Sequence, residues 1–212
     1  MKTVISLIGE INEEMTVYFL KETDDILEEY CEYLDQIEML KPEFVKPFPR
    51  ITIEISSPGG DVHYGSAMLD RIDEMKMLGI NVDTTARGLC YSMAFILFLT
   101  GEQRYGGRWS TFMNHASSSC QRGYLEDIKN NVAFLEMMDA EFDALILERT
   151  KMTRERLNQA KLKCDWIRHD EAIELGIINI FDDMEKEEDD EQLKHNMRGG
   201  DAIQYELKLN IP

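Results

Sequence analysis

The apolar run Ile51-Thr52-Ile53-Glu54-Ile55 passes directly into Ser56-Ser57-Pro58-Gly59-Gly60-Asp61, and further along Gly88-Leu89-Cys90-Tyr91-Ser92-Met93-Ala94 opens the apolar stretch Phe95 to Leu99. The first pair reads as a strand that ends in a tight backbone turn. The second reads as a strand-to-helix elbow that displays a single serine. Glycines let backbone N–H groups come close to a ligand, and a serine at a helix start lies where the dipole favours developing negative charge. Together they predict acyl-transfer chemistry. His115, at the end of Thr111-Phe112-Met113-Asn114-His115, is then the expected general base, one strand later.

Outward from these segments the chain alternates strand and helix. Thr3 to Ile8 is a short apolar strand ended by Gly9, and Asn12 is a suitable N-cap for a helix on which Ile26, Tyr30, Leu34 and Ile37 recur at helical spacing. Residues 41–50 contain Pro42, Pro47 and Pro49 and read as a loop into the Ile51 strand. A helix over 64–78, a strand over 80–85, the Ser92 helix and a strand over 109–113 follow. After the polar loop 116–123 comes a long helix over 124–149, striped by Val132, Leu135, Met138, Phe142 and Leu145. A short helix over 153–162 and the unit Glu171-Ala172-Ile173-Glu174-Leu175-Gly176-Ile177-Ile178-Asn179-Ile180, a helix stopped by glycine and then a strand, complete an α/β domain over 1–183. Residues 184–212 form an acidic C-terminal tail in which Ile203, Tyr205, Leu207, Leu209 and Ile211 alternate as in a strand.

Composition narrows the classes of function. A length of 212 residues suits one ordinary domain with a real core. The formal charge of −18 argues against a nucleic-acid partner, since phosphate binding needs a basic face. The charge is concentrated: Glu13 to Glu38 holds ten acidic residues against one lysine, and Asp182 to Glu191 eight against one, so the middle of the chain is nearly neutral. Both runs read as solvated surface rather than docking sites. The longest apolar stretch, Met93 to Leu99, is too short to span a bilayer, and the N-terminus lacks the pattern of a signal peptide. Cys31, Cys90, Cys120 and Cys164 are widely spaced with no C-x-x-C pair, which indicates neither a disulfide framework nor a zinc site and suits a reducing compartment. A cytoplasmic protein without metal or cofactor is expected.

The order strand, S-P-G-G, helix, strand, G-x-x-x-S-M-A, strand, N-H, long helix, E-A-x-E-x-G-I resembles the proteolytic-subunit family of the Clp protease, ClpP, over Thr3 to Asp183. The resemblance implies a ClpP/crotonase-like fold and a serine endopeptidase acting on polypeptides. It also implies that a long handle helix, here 124–149, joins subunits into heptameric rings that stack as a tetradecamer and work with a Clp-type ATPase. Carried over by position, Ser92 is the nucleophile and His115 the base, and the amide of Met93 with one amide from Gly59 and Gly60 forms the oxyanion hole. Serine is a weak nucleophile until a base takes its proton, and each preorganised donor to the oxyanion is worth roughly 3–4 kcal/mol.

The third triad position departs from the family. Its aspartate lies seven residues before the glutamate of the E-A motif, which here lands on Cys164, and a neutral thiol offers no charge to orient an imidazole. Asp165 is adjacent, and a one-residue slip in the loop would present its carboxylate instead. The expected triad is Ser92, His115 and Asp165, with a chain lacking the orienting acid as the alternative. Only Met1 and Lys2 precede Thr3, so the axial pore segment through which the family contacts a ring ATPase is expected to be missing, which leaves dependence on an ATPase open, and Ala116 stands where the family usually has glutamine. These departures support a second reading, a catalytically weak ring subunit with a structural or regulatory role. A crotonase-like acyl-CoA enzyme is disfavoured, because such enzymes do not need the Ser92-Met93 elbow with a downstream histidine.

Overall fold

The computed structural model describes residues 3–39, 46–120 and 122–180. β1 (Val4–Ile8) leads into α1 (Glu13–Met39), capped where Asn12 Oδ1 accepts the Met15 N–H at 3.0 Å. Ile26 and Tyr30 on α1 are buried and Ile37 is half-buried, but Leu34 is exposed, and Tyr33 takes its place on the apolar face, stacking on Tyr30 and packing against Phe48. β2 (Ile51–Ser57) alternates strictly, with Ile51, Ile53, Ile55 and Ser57 buried. α2 (Val62–Met77) is capped by Asp61, which accepts the N–H groups of His63 and Tyr64. β3 (Val82–Tyr91), α3 (Met93–Leu99), β4 (Arg104–Gly106) and β5 (Thr111–Met113) follow. The chain continues through α4 (Leu125–Arg149), α5 (Arg154–Lys163), β6 (Trp166–Arg168) and α6 (His169–Glu174).

These elements form an α/β architecture around one sheet in the order β1-β2-β3-β5-β6, with β4 paired to β3. All pairings are parallel except that of β5 with β6. β3 runs past the expected end at Thr85 because it changes partners midway: Thr84 to Ala86 pair with β4, and Leu89 to Tyr91 with β5. Its register against β2 shifts between Ile55 and Ser57, a bulge that re-aims the strand end toward Ser92.

Two strands escape the sequence pattern, β4 and β6, each three residues long and too short to show a period. Conversely, Ile177 to Ile180 form no strand. Ile177 and Ile178 are buried, and the N–H groups of Asn179 and Ile180 bond to the Arg104 carbonyl, so an apolar run mimics a strand while packing as a coil. The buried residues of α4, namely Met138, Asp143 and Ile146, all lie from Met138 onward; Leu125, Val132 and Met137 before it, and the N-cap Tyr124, are exposed. No helix among the described residues is long and apolar enough to cross a membrane. The acidic tail over 184–212 and its expected strand lie outside the described residues.

α3 is buried along its whole length, and its C-terminal carbonyls are held by three cations. Arg149 donates to the carbonyls of Leu99 and Gly101, Arg104 donates to Gly101 as well as to Arg149, Gly176 and Ile177, and Lys76 donates to Thr100. Burial, and then the neighbouring Arg149, pull the Arg104 guanidinium down to about 10 and lower Lys76 as well. Such bonds satisfy carbonyls that a helix end leaves without partners. They anchor α3 from behind, and its front carries Ser92.

Candidate active site

Ser92 sits between β3 and α3 with φ 54 and ψ −126, one of two non-glycine residues with positive φ among those described. A serine pays of order 1–3 kcal/mol for such a conformation, which persists only where surrounding structure enforces it. The enforcement is visible: the Ser92 N–H donates to the Met113 carbonyl at 2.8 Å, and its carbonyl accepts from Phe95 and Ile96 in the first turn of α3. The side chain makes no capping bond. This is the geometry of a nucleophile elbow, a sharp strand-to-helix turn that lifts one hydroxyl clear of its neighbours.

The glycine turn lies directly against this elbow. A Cβ at Gly59 would stand 2.7 Å from Ser92 Cβ and 3.1 Å from Met93 N, and a Cβ at Gly60 would stand 2.1 Å from the Ile11 carbonyl oxygen. Only glycine fits either place. The two amides are not equivalent, since Gly59 N–H donates to Ser57 Oγ at 3.1 Å. Ile11 bridges the groups flanking Gly60, donating to the Gly59 carbonyl and accepting from Asp61 N–H, which leaves the Gly60 N–H outside that bridge. Met93 is the first residue of α3, where an N–H has no intrahelical acceptor.

His115 lies two residues past β5 and is half-buried, its Nδ1 2.7 Å from the carbonyl oxygen of Ala116. Ser92, His115, Gly60 and Met93 line one cavity, together with Val62, Ile96 and Phe142 on its apolar side. Ser92 and His115 share the cavity without a hydrogen bond between them. The structure thus brings together the expected nucleophile, base and two oxyanion donors.

Asp165 is not among the residues lining the cavity. Its carboxylate pairs with Arg156 at 2.6 Å, and Arg156 also holds Glu171 at 2.7 Å. Those two partners, Glu171 foremost, raise the guanidinium above its usual range. The end of α5 explains the placement. β6 begins only at Trp166, opposite Met113, and Asp165 just before it belongs to the helix cap, its N–H donating to the Ala160 carbonyl at 3.3 Å. Cys164 itself closes α5 in the left-handed conformation, at φ 49, and is exposed.

Sequence reasoning passed over three further residues of the cavity, Asp139 and Asp143 on α4 and Lys161 on α5. Lys161 Nζ lies 3.3 Å from Asp139 and 2.9 Å from Asp143, and Arg154 bonds the other oxygen of Asp143 at 2.8 Å. The two acids and two bases balance, so the cavity wall carries no net charge from this group. A signal was present: Asp139 and Asp143 are four apart and share the helix face of Leu135, Met138 and Phe142, where an aspartate is out of place unless paired. Among the described residues no cluster has the make-up of a metal site.

Comparison with known proteins finds relatives of one description. The chain is 28% identical over 177 residues to the ATP-dependent Clp protease proteolytic subunit 2 of Treponema denticola, covering 82% of this chain and 79% of that protein. It is 30% identical over 131 residues to the protein of the same description from Treponema pallidum, covering 61% and 64%. To the ATP-dependent Clp protease proteolytic subunit of Porphyromonas gingivalis it is 24% identical over 155 residues, covering 72% and 68%. The model of the Clp protease family matches residues 2–183, a span that holds the elbow, the glycine turn and the histidine together, and the chain belongs to the Clp protease family.

Proposed function

We propose that this chain is a serine endopeptidase subunit in which Ser92 is the nucleophile and His115 its base. The observation that carries the reading is the strained Ser92 elbow, pressed against Gly59 and sharing one cavity with His115. His115 Nε2 takes the Ser92 proton as Oγ attacks the scissile carbonyl, while Nδ1–H donates to the Ala116 carbonyl and holds the required tautomer. The oxyanion accepts from the amides of Met93 and Gly60, because the Gly59 amide is committed to Ser57. The imidazolium then protonates the leaving amine, and water hydrolyses the acyl-enzyme by the same steps in reverse order.

In this reading a backbone carbonyl does the orienting work usually given to a carboxylate. Asp165 would take that role only if its pair with Arg156 opened. A carbonyl orients the ring but stabilises imidazolium less than a charge does, and this favours a second reading, a catalytically weak ring subunit. Substrates are polypeptides, reached in a cytoplasmic assembly of stacked heptameric rings whose handle is α4, with a Clp-type ATPase as partner. The exposed apolar residues on the first half of α4 support the assembly. A fluorophosphonate probe tests the chemistry: the active-enzyme reading expects covalent labelling at Ser92 and peptide turnover, both lost in Ser92→Ala. Absence of both in the wild-type chain would leave the structural subunit.

A further inference from the structure

His115 stands in a segment without regular structure, yet a general base must be held to within a fraction of an ångström of its nucleophile. Its bond to Ala116 fixes the ring against its own backbone only. The backbone therefore has to be fixed on both sides of the histidine. On one side the Met113 carbonyl accepts the Ser92 N–H at 2.8 Å, tying the end of β5 to the elbow. On the other side the tie is to α4: Asp139 accepts the Ser117 N–H at 3.2 Å and the Ser117 hydroxyl at 2.6 Å. A hydroxyl bond to a carboxylate at that distance is charge-assisted and strong.

We propose that Asp139 is a positioning residue for His115, acting through Ser117 as a clamp that fastens the histidine segment to α4; this rests on the peptidase reading above. The carboxylate is itself held in place. Lys161, with a side chain only 15% exposed, bonds both Asp139 and Asp143, and Arg154 secures Asp143 from the far side. Oδ1 of Asp139 thus takes the Ser117 hydroxyl, while Oδ2 faces Lys161 of α5 and is also reached by the Ser117 N–H at 3.3 Å. The segment carrying His115 is referenced through two side chains to the helix pair α4 and α5, and through one backbone bond to Ser92. The clamp explains why acids occupy an otherwise apolar face of α4.

The test uses the full chain with Ser117→Ala, Asp139→Ala and the double variant. Peptide turnover, fluorophosphonate labelling of Ser92 and hydrogen exchange over residues 115–120 are measured for each. A misplacement of about 1 Å costs up to about 100-fold, so each single variant should lose about 10- to 100-fold in kcat with KM nearly unchanged. The double variant should be no worse than the poorer single one, because both cut the same tie. Exchange over 115–120 should rise in all three. Full kcat in Ser117→Ala, additive losses, or unchanged exchange would each overturn the clamp. A wild-type chain with neither turnover nor labelling defeats the peptidase reading instead, and exchange over 115–120 then still decides whether Asp139 holds the segment.

Discussion

A β-carbon placed on Gly59 would stand 2.7 Å from the β-carbon of Ser92, closer than two such atoms come in proteins, so turn and elbow are built as one piece. The Tyr91 carbonyl is equally near, and φ at Gly59 is +92. Gly59→Ala therefore has no cheap relaxation: the turn must back away from the elbow, carrying the Gly60 amide with it. We expect turnover to fall at least about 100-fold, the scale of one lost oxyanion donor. Stability should drop by about 1–3 kcal/mol, as for other strained sites, measured by urea unfolding. Wild-type turnover in a folded variant would separate the turn from catalysis.

The strain at Ser92 makes a prediction of opposite sign. At φ 54 and ψ −126 a glycine is at home and a serine is not, and the Ser92 side chain makes no capping bond that its removal would cost. Ser92→Gly should therefore raise unfolding stability by about 1 kcal/mol while abolishing peptide hydrolysis. Ser92→Ala should be equally inactive with stability unchanged within about 0.5 kcal/mol, since it keeps the strained Cβ. Destabilisation by glycine would mean that the elbow is not under strain.

The contrast between Ser92 and Asp165 shows what could be read without coordinates. Ser92, His115 and the glycine turn each rest on a local pattern, a strand of alternating residues followed by a break of required conformation, and such patterns are short-range. Asp165 lies at the junction of α5 and β6, where Cys164 turns left-handed and the carboxylate meets Arg156 on α5, a pairing made only in the folded chain. Asp139 and Lys161 come from different helices, and only tertiary packing pairs them. The same holds for Ile177 to Ile180, whose apolar run reads equally well as strand or buried coil.

Asp165 is paired with Arg156, and its replacement should be mild. Asp165→Asn should leave peptide turnover within about two-fold of wild type, whereas loss of a triad carboxylate typically costs about 10⁴-fold in kcat. The ion pair is partly exposed and Arg156 retains Glu171, so the stability loss should stay below about 1 kcal/mol. A collapse of turnover in Asp165→Asn, with Arg156→Gln near wild type, would restore Asp165 as the orienting acid.

The last prediction concerns the first half of α4. A helix of 25 residues is about 37 Å long. Its buried residues begin only at Met138, while the N-cap Tyr124 and then Leu125, Val132 and Met137 present apolar surface ahead of it. Monomers rarely leave such a set open, and the family to which the chain belongs points to a second subunit as what covers it. Light scattering should find a large oligomer for the wild-type chain. The double variant Val132→Glu, Met137→Glu places two charges where the facing surface must be apolar, and neither side chain belongs to the core of its own subunit. It should dissociate the assembly while leaving the circular dichroism of the folded subunit intact. An oligomer of unchanged size would move the interface to another face of the subunit and leave the first half of α4 without an assembly role.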